Sequence, residues 1–262
     1  MSLRQCQRVL GHHAIALVHP RGLELSLYTA ILPDAFPVAV DPKWMSSVRD
    51  YNKLLMSADF FRAFDKCSHL LIHEPDAIVL EDQLLPWCSR AFDYIGAPWF
   101  EGGSSALPDA DCIGVGNSGF SLFKVSSALA ALQSGARWFP YSTIGSQMVG
   151  RILRRPGPYS GRQLLSACGR MGTLGGAHAL FRGNCDYFWS AIVPMFAKFA
   201  VADVGEAVRF SWEVNPRRCL QMSEGKRPFG LHAWARYDVE FLRPILTEAG
   251  VDLSQAEIRR TI

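Results

Sequence analysis

HEPDAIVL, residues 73 to 80, decides how this chain is read, with the apolar run HLLI (69 to 72) before it and Glu81 and Asp82 after it. A short apolar run of this kind reads as a buried strand. The chain then presents Glu74 and Asp76 one residue apart, and strand alternation places both side chains on the same side. Two carboxylates at the carboxyl edge of an α/β sheet, where ligands bind, make a hard-oxygen site for Mg2+ or Mn2+ carrying phosphates. Acidic residues at the same spacing also serve as solvated turn residues, so the spacing alone leaves both readings open.

The chain has 262 residues, enough for a single α/β domain with a substantial core, and one domain over 1–262 is expected. Hydrophobic content of 49% with 19% charged residues is globular composition. No window reaches the ~18 uninterrupted apolar residues that a membrane span needs. The opening MSLRQCQRVLGHHAIALV lacks the apolar core of a signal peptide. That predicts a cytoplasmic protein, peripheral to a membrane at most, or one whose N-terminal anchor lies outside this sequence. Seven cysteines without a C-x-x-C pair predict reduced thiols rather than a zinc knuckle, with Cys67 and Cys88 as small hydrophobes in apolar surroundings.

The net charge of +3 is unevenly placed. Residues 112 to 185 contain no acidic residue, yet they hold Lys124, Arg137 and six further arginines, among them Arg151, Arg154 and Arg155. A one-sign field attracts phosphates, whether of a nucleotide, a lipid-linked pyrophosphate or an anionic membrane surface. A solvated basic face is the alternative. No nucleic-acid partner is expected.

Strands over 14–19 and 37–41, with an amphipathic helix between them, predict a βαβ start. A helix is expected over 45–64, capped by Ser46 or Ser47, and a short helix near 83–90. FDYIGAP suits a buried strand, and 101–111, rich in Gly, Ser, Pro and Asp, reads as a surface loop able to cover a ligand. GVGNSG (114–119) matches G-x-G-x-x-G, but it lies mid-chain in an acid-free region and is rejected as a dinucleotide turn. Phe120 and Leu122 read as inward strand residues, followed by a capped helix from Ser126.

EPDAIVLED resembles the Asp-x-Asp element of GT-A glycosyltransferases, with Glu74 in place of the first Asp. YNKLLMSADFFRAF (51–64), FDYIGAPW (92–99), GVGNSGFSLFK (114–124), FSWEVN (210–215) and PFGLHAW (228–234) resemble, in this order, the blocks of a glycosyltransferase-like family catalogued as a domain of unknown function. The resemblance spans roughly 14 to 245. It implies a single GT-A-like (Rossmann-like) α/β domain, with a mixed, mainly parallel sheet flanked by helices. Residues 14–100 would form the nucleotide-binding half and 112–245 the acceptor half, with an elaboration at about 139–182.

The implied activity is transfer of a sugar from a UDP- or GDP-sugar to a hydroxyl of a glycan, lipid-linked or other acceptor. The implied cofactor is Mn2+ or Mg2+ on Glu74, Asp76 and His232. His19 and Arg21 become nucleotide contacts; a plain β-to-α turn is the alternative. Gly116, Asn117, Ser118 and Gly119 would line the acceptor side of the sugar pocket, with Glu213 nearby and Trp234 stacking on a sugar face. In NCDYFWSAIVPMFAKF (184–199), Cys185 replaces the first acid of the family's pair and Asp186 keeps the second, as general base. Asp186 as a mere helix cap, and the whole chain as a sugar-binding module without turnover, are the competing readings.

Overall fold

The computed structural model describes residues 1–138 and 172–253. Within them the chain is an α/β protein in which short strands from distant segments pair and helices cover them. Helix α1 (Ser2–Leu10) leads to strand β1 (Ala16–Pro20), the short helix α2 (Ser26–Thr29) and β2 (Phe36–Val40), which pairs parallel with β1. The βαβ start therefore holds, but the amphipathic helix expected between the strands shrinks to one turn with no buried residue.

The helix expected over 45–64 is divided. A 3-10 turn (Pro42–Met45) precedes α3 (Val48–Leu55) and α4 (Ala58–Arg62). Each helix has its own cap: Ser47 Oγ accepts from Asp50 N–H and Ser57 Oγ from Phe60 N–H. Strands β3 (His69–His73) and β4 (Ile78–Val79) follow, then α5 (Leu84–Cys88), β5 (Tyr94–Ile95), β6 (Pro98–Phe100), β7 (Cys112–Val115), β8 (Phe120–Lys124) and α6 (Val125–Gln133). Ser127 does not cap α6; its hydroxyl donates to Asp93 Oδ1 at 2.6 Å.

Beyond the undescribed stretch lie α7 (Ala177–Leu180) and a continuous helical run made of α8 (Cys185–Tyr187), a π-helical segment (Phe188–Ile192) and α9 (Val193–Phe196). Pro194, at the start of α9, has no N–H to donate back into the preceding turn, which accounts for the irregular ladder. The chain continues with α10 (Val204–Phe210), β9 (Ser211–Trp212), α11 (Pro216–Met222), β10 (Gly230–Leu231) and α12 (Val239–Glu248).

Two three-stranded sheets carry the architecture, β3–β8–β5 and β4–β10–β9. The expectation of a mainly parallel sheet is not met. Among the described residues β1–β2 and β9–β10 pair parallel, whereas β3–β8, β5–β8, β4–β10 and β6–β7 pair antiparallel. The parallel expectation came from the family resemblance; β8 itself pairs antiparallel with both β3 and β5. It is covered on both faces, with Phe120 and Leu122 packed against Phe210 and Phe229, and Phe123 packed on the opposite side against Phe61 and Trp189.

Of the cysteines placed in apolar surroundings, Cys88 is half-buried but Cys67 is exposed, after the turn that ends α4. No helix among the described residues is long and apolar enough to cross a membrane. The elaboration at 139–182 falls largely outside the described residues, as do Arg151, Arg154 and Arg155.

Candidate functional site

Four chain segments meet where the two three-stranded sheets adjoin. Strand β3 ends at His73, opposite Phe120 of β8, and Glu74 N–H extends the ladder by donating to Gly119 O at 2.8 Å. The chain then reverses: Ala77 N–H donates to Glu74 O at 2.9 Å, closing a turn with Pro75 and Asp76 at its centre. Glu74 and Asp76 are thus brought together by a β-turn rather than by the strand alternation expected for them. Strand β4 starts just beyond, with Ile78 opposite Leu231 of β10, so the next residue of β10's chain, His232, lies beside the turn. Leu231 in turn pairs parallel with Trp212 of β9, which places Glu213 next to His232 at the carboxyl ends of two parallel strands. His232 N–H holds that register by donating to Trp212 O at 2.9 Å.

The imidazole of His232 sits among three carboxylates. Its Nε2 lies 3.3 Å from Asp76 Oδ1 and 3.6 Å from Glu74 Oε2, and its Nδ1 lies 3.2 Å from Glu213 Oε1. Burial works against charge on this ring, but the carboxylates of Asp76, Glu213 and Glu74 outweigh it and push the imidazole up to about 12. The hydrogen bond to His232 in turn holds the Asp76 carboxyl below its ordinary value. One ligand atom from each of Glu74, Asp76 and His232 falls within 4.8 Å of the others.

These groups fit a hard divalent cation. Two carboxylate oxygens and His232 Nε2 converge, a cation there displacing the proton that this nitrogen otherwise holds against them, and Glu74 Oε1 is buried without a hydrogen-bond partner. Glu213 Oε1 lies at ion-pair distance from the ring's other nitrogen, Nδ1, but outside hydrogen-bond geometry.

The glycines serve this packing. A Cβ on Gly119 would stand 2.0 Å from His232 Nε2, and one on Gly116 would stand 2.1 Å from the Trp99 indole. On the side where each glycine would carry a Cβ, the space is therefore filled by the protein's own rings. Asn117 is only 2% exposed, and its amide is engaged internally. Its Oδ1 accepts from Gly119 and Phe120 N–H at 2.7 and 3.0 Å, and its Nδ2 donates to Glu213 Oε2 at 2.9 Å. Asn117 thus orients Glu213 instead of meeting a sugar hydroxyl. Tyr94 anchors it: the phenol donates to Asn117 O and accepts from Asn117 N–H. Ser118 is half-buried at the edge of this turn.

Trp234 does not fit the stacking role. It is 8% exposed and packs with Phe100, Trp212, Leu231 and Leu246 in the core. His19 is also buried, with Nδ1 3.1 Å from Pro20 O, and Arg21 is exposed with its charge acting on Asp41. Neither is among the groups gathered around His232.

Asp186 lies near enough for the charges of Glu213 and His232 to act on it. Burial, and then Glu213, raise its carboxyl to about 6, against hydrogen bonding from Tyr187 N–H and the pull of His232. Its Oδ1 accepts from Tyr187 N–H, at 2.8 Å, so Asp186 serves one first-turn donor of α8 as the capping reading expects, while Cys185 N–H donates to Asn52 Oδ1 of α3 at 2.6 Å. Capping is thus shared with Asn52, which sequence reasoning did not single out. Cys185 is buried, and burial followed by the charges of Asp186 and Glu74 keeps its thiol well above the ordinary value. Tyr51 was likewise missed. Burial and the charge of Glu74 raise its phenol, so it stands beside the carboxylate turn, one residue before Asn52.

Beside Asp186 the Tyr187 ring is 50% exposed and stacks near-parallel with Trp99 and with Phe181. The loop 101–111 is pinned at its neck by Glu101 N–H to Asp111 O, and Asn215, two residues past Glu213, donates to Leu107 O at 2.6 Å.

This is an α/β protein with a carboxylate–imidazole cluster at the ends of its buried strands. A family model matches residues 37–232, and the chain belongs to that family, described as Protein of unknown function (DUF5672). The matched span contains Glu74, Asp76, Asp186, Glu213 and His232. No curated protein and no solved structure matches the chain.

Proposed function

We propose that this protein is a glycosyltransferase that uses a nucleotide diphosphate-sugar, with Glu74, Asp76 and His232 as ligands of Mn2+ or Mg2+. The observation that carries this reading is the convergence of the three ligand groups beside an acid, Asp186, whose carboxyl is raised to about 6. A divalent cation held there would supply neutralisation of the leaving diphosphate. Glu213, oriented by Asn117, sets a carboxylate at ion-pair distance from the other nitrogen of the His232 ring. Asp186 takes the proton of the acceptor hydroxyl as its oxygen attacks the anomeric carbon, and a base of this pKa is ionised yet basic enough near neutral pH. Tyr187, half exposed and stacked with Trp99 and Phe181, adds an aromatic rim next to that base.

Screening UDP- and GDP-sugars for hydrolysis with and without Mn2+ tests the proposal. Turnover that requires both Mn2+ and Asp186 supports it; metal-independent hydrolysis that survives Asp186→Asn removes it. A sugar or nucleotide-sugar binding module of the same fold is the second reading, favoured by Cys185, a buried thiol where the resembled family has an acid. Donor binding with no turnover under any of these conditions selects it. An anionic membrane as a further partner rests on the basic run alone.

A further inference from the structure

We infer that His12, His13 and Asp82 form a second metal site, for a borderline divalent cation of the Zn2+ type. The Nε2 atoms of both rings converge on one carboxylate oxygen, Asp82 Oδ2, at 2.9 Å from His12 and 3.3 Å from His13. The ring centroids are 4.2 Å apart, and one ligand atom from each of the three residues lies within 4.8 Å of the others. Two imidazoles and one carboxylate suit Zn2+ and its borderline neighbours better than Mg2+ or Mn2+.

The donors are held in place by bonds that do not involve their ligand atoms. Asp82 Oδ1 accepts from Leu84 N–H at 3.1 Å and lies 3.4 Å from His13 Nε2, so His13 faces both carboxylate oxygens while His12 meets Oδ2. His13 N–H donates to Leu10 O at 2.9 Å, fixing the turn that leaves α1. Helix α1 is itself docked along the segment that carries Asp82: Ser2 Oγ donates to Ala77 O at 2.7 Å, and Gln5 Nε2 to Val79 O at 2.9 Å, both buried. The two ligand-bearing elements are therefore in register before any cation arrives. The cluster also lies just past the carboxyl end of α1, where the helix dipole favours positive charge. His12 is 63% exposed, so solvent can complete the coordination and the cation can enter freely. The histidine pair precedes the family-matched span, whereas Asp82 lies within it.

Calorimetric titration of tag-free, full-length protein with Zn2+ tests the site. One Zn2+ equivalent should remain in Glu74→Gln, which disables the other cluster. Its affinity should fall at least about 10-fold in that background on adding His12→Ala, His13→Ala or Asp82→Asn. Mn2+ should give far weaker heat in the same background. Zn2+ affinity unchanged by all three added substitutions, or no Zn2+ binding in Glu74→Gln itself, overturns the site and leaves the cluster as a surface ion pair. His12 is exposed and anchors nothing else, so its variant separates ligand loss from misfolding.

Discussion

The two ends of strand β4 carry ligand groups of opposite character. At its entry Glu74 and Asp76 face one imidazole, with Glu213 behind it; at its exit Asp82 alone faces two imidazoles. The entry cluster is oxygen-rich and set at the ends of paired strands, with His232 12% exposed and Asp76 open to solvent. The exit cluster is nitrogen-rich, set on two turns and open to solvent. One segment of chain thus supplies carboxylates to both, and the neighbours brought in by the fold decide what each can hold.

The largest expected effect separates the two clusters through Asp186. Asp186→Asn should lower glycosyl transfer about 100-fold or more while leaving donor affinity and Zn2+ binding at the exit cluster unchanged. A base must be ionised, so turnover of the parent should rise with pH through about 6 and then level, and it should be lost as pH falls below that value. A pH profile of the parent that is flat between 5 and 8 would break the assignment.

Gly119→Ala comes next. The added methyl would strike His232 Nε2, so we expect a loss of about 1–3 kcal/mol in unfolding free energy and weakened Mn2+ binding. Zn2+ binding at His12 and His13 should not move. If Mn2+ affinity survives in a folded Gly119→Ala protein, the His232 ring is not where metal is held.

The smallest effect belongs to the exit cluster without metal. Asp82→Asn should change stability by less than about 1 kcal/mol in the presence of a chelator, because exposed ion pairs contribute little. Thermal unfolding with and without Zn2+ checks this, and a chelator-insensitive loss of several kcal/mol would show that Asp82 is structural instead.

Glu74 and Asp76 were legible in the sequence itself, after the apolar run HLLI, whereas Glu213 in FSWEVN and His232 in the glycine-containing loop PFGLHAW entered through the family resemblance. What brings them together was not legible, since the pairing of β4 with β10 and of β10 with β9 joins segments about 150 residues apart in one case, and no local pattern encodes it. Trp234 shows the same limit from the other side. An aromatic next to a loop has one signature whether it stacks on a ligand or fills a core, and only α12 packing over it settles the matter. Asn117 was identified as polar and close, but its partners Tyr94 and Glu213 come from other strands. The break between α3 and α4 was readable in principle, because Ser57 three residues before Phe60 is a cap signal inside an otherwise continuous apolar face. Strand direction was not: the mainly parallel sheet was implied by the resemblance alone, and the short strands β3, β5 and β8 carry no local signal of which way their neighbours run.

The central claim is that the entry cluster receives a cation-bound diphosphate. Calorimetry of UDP and GDP, first with Mn2+ and then with EDTA, tests it most directly. Without the cation the phosphates would face Glu74, Asp76 and Glu213 with only the protonated His232 ring to offset three carboxylates, so binding of at least one of the two nucleotides should be strong with Mn2+ and collapse with EDTA. Equal affinity under both conditions would contradict the account.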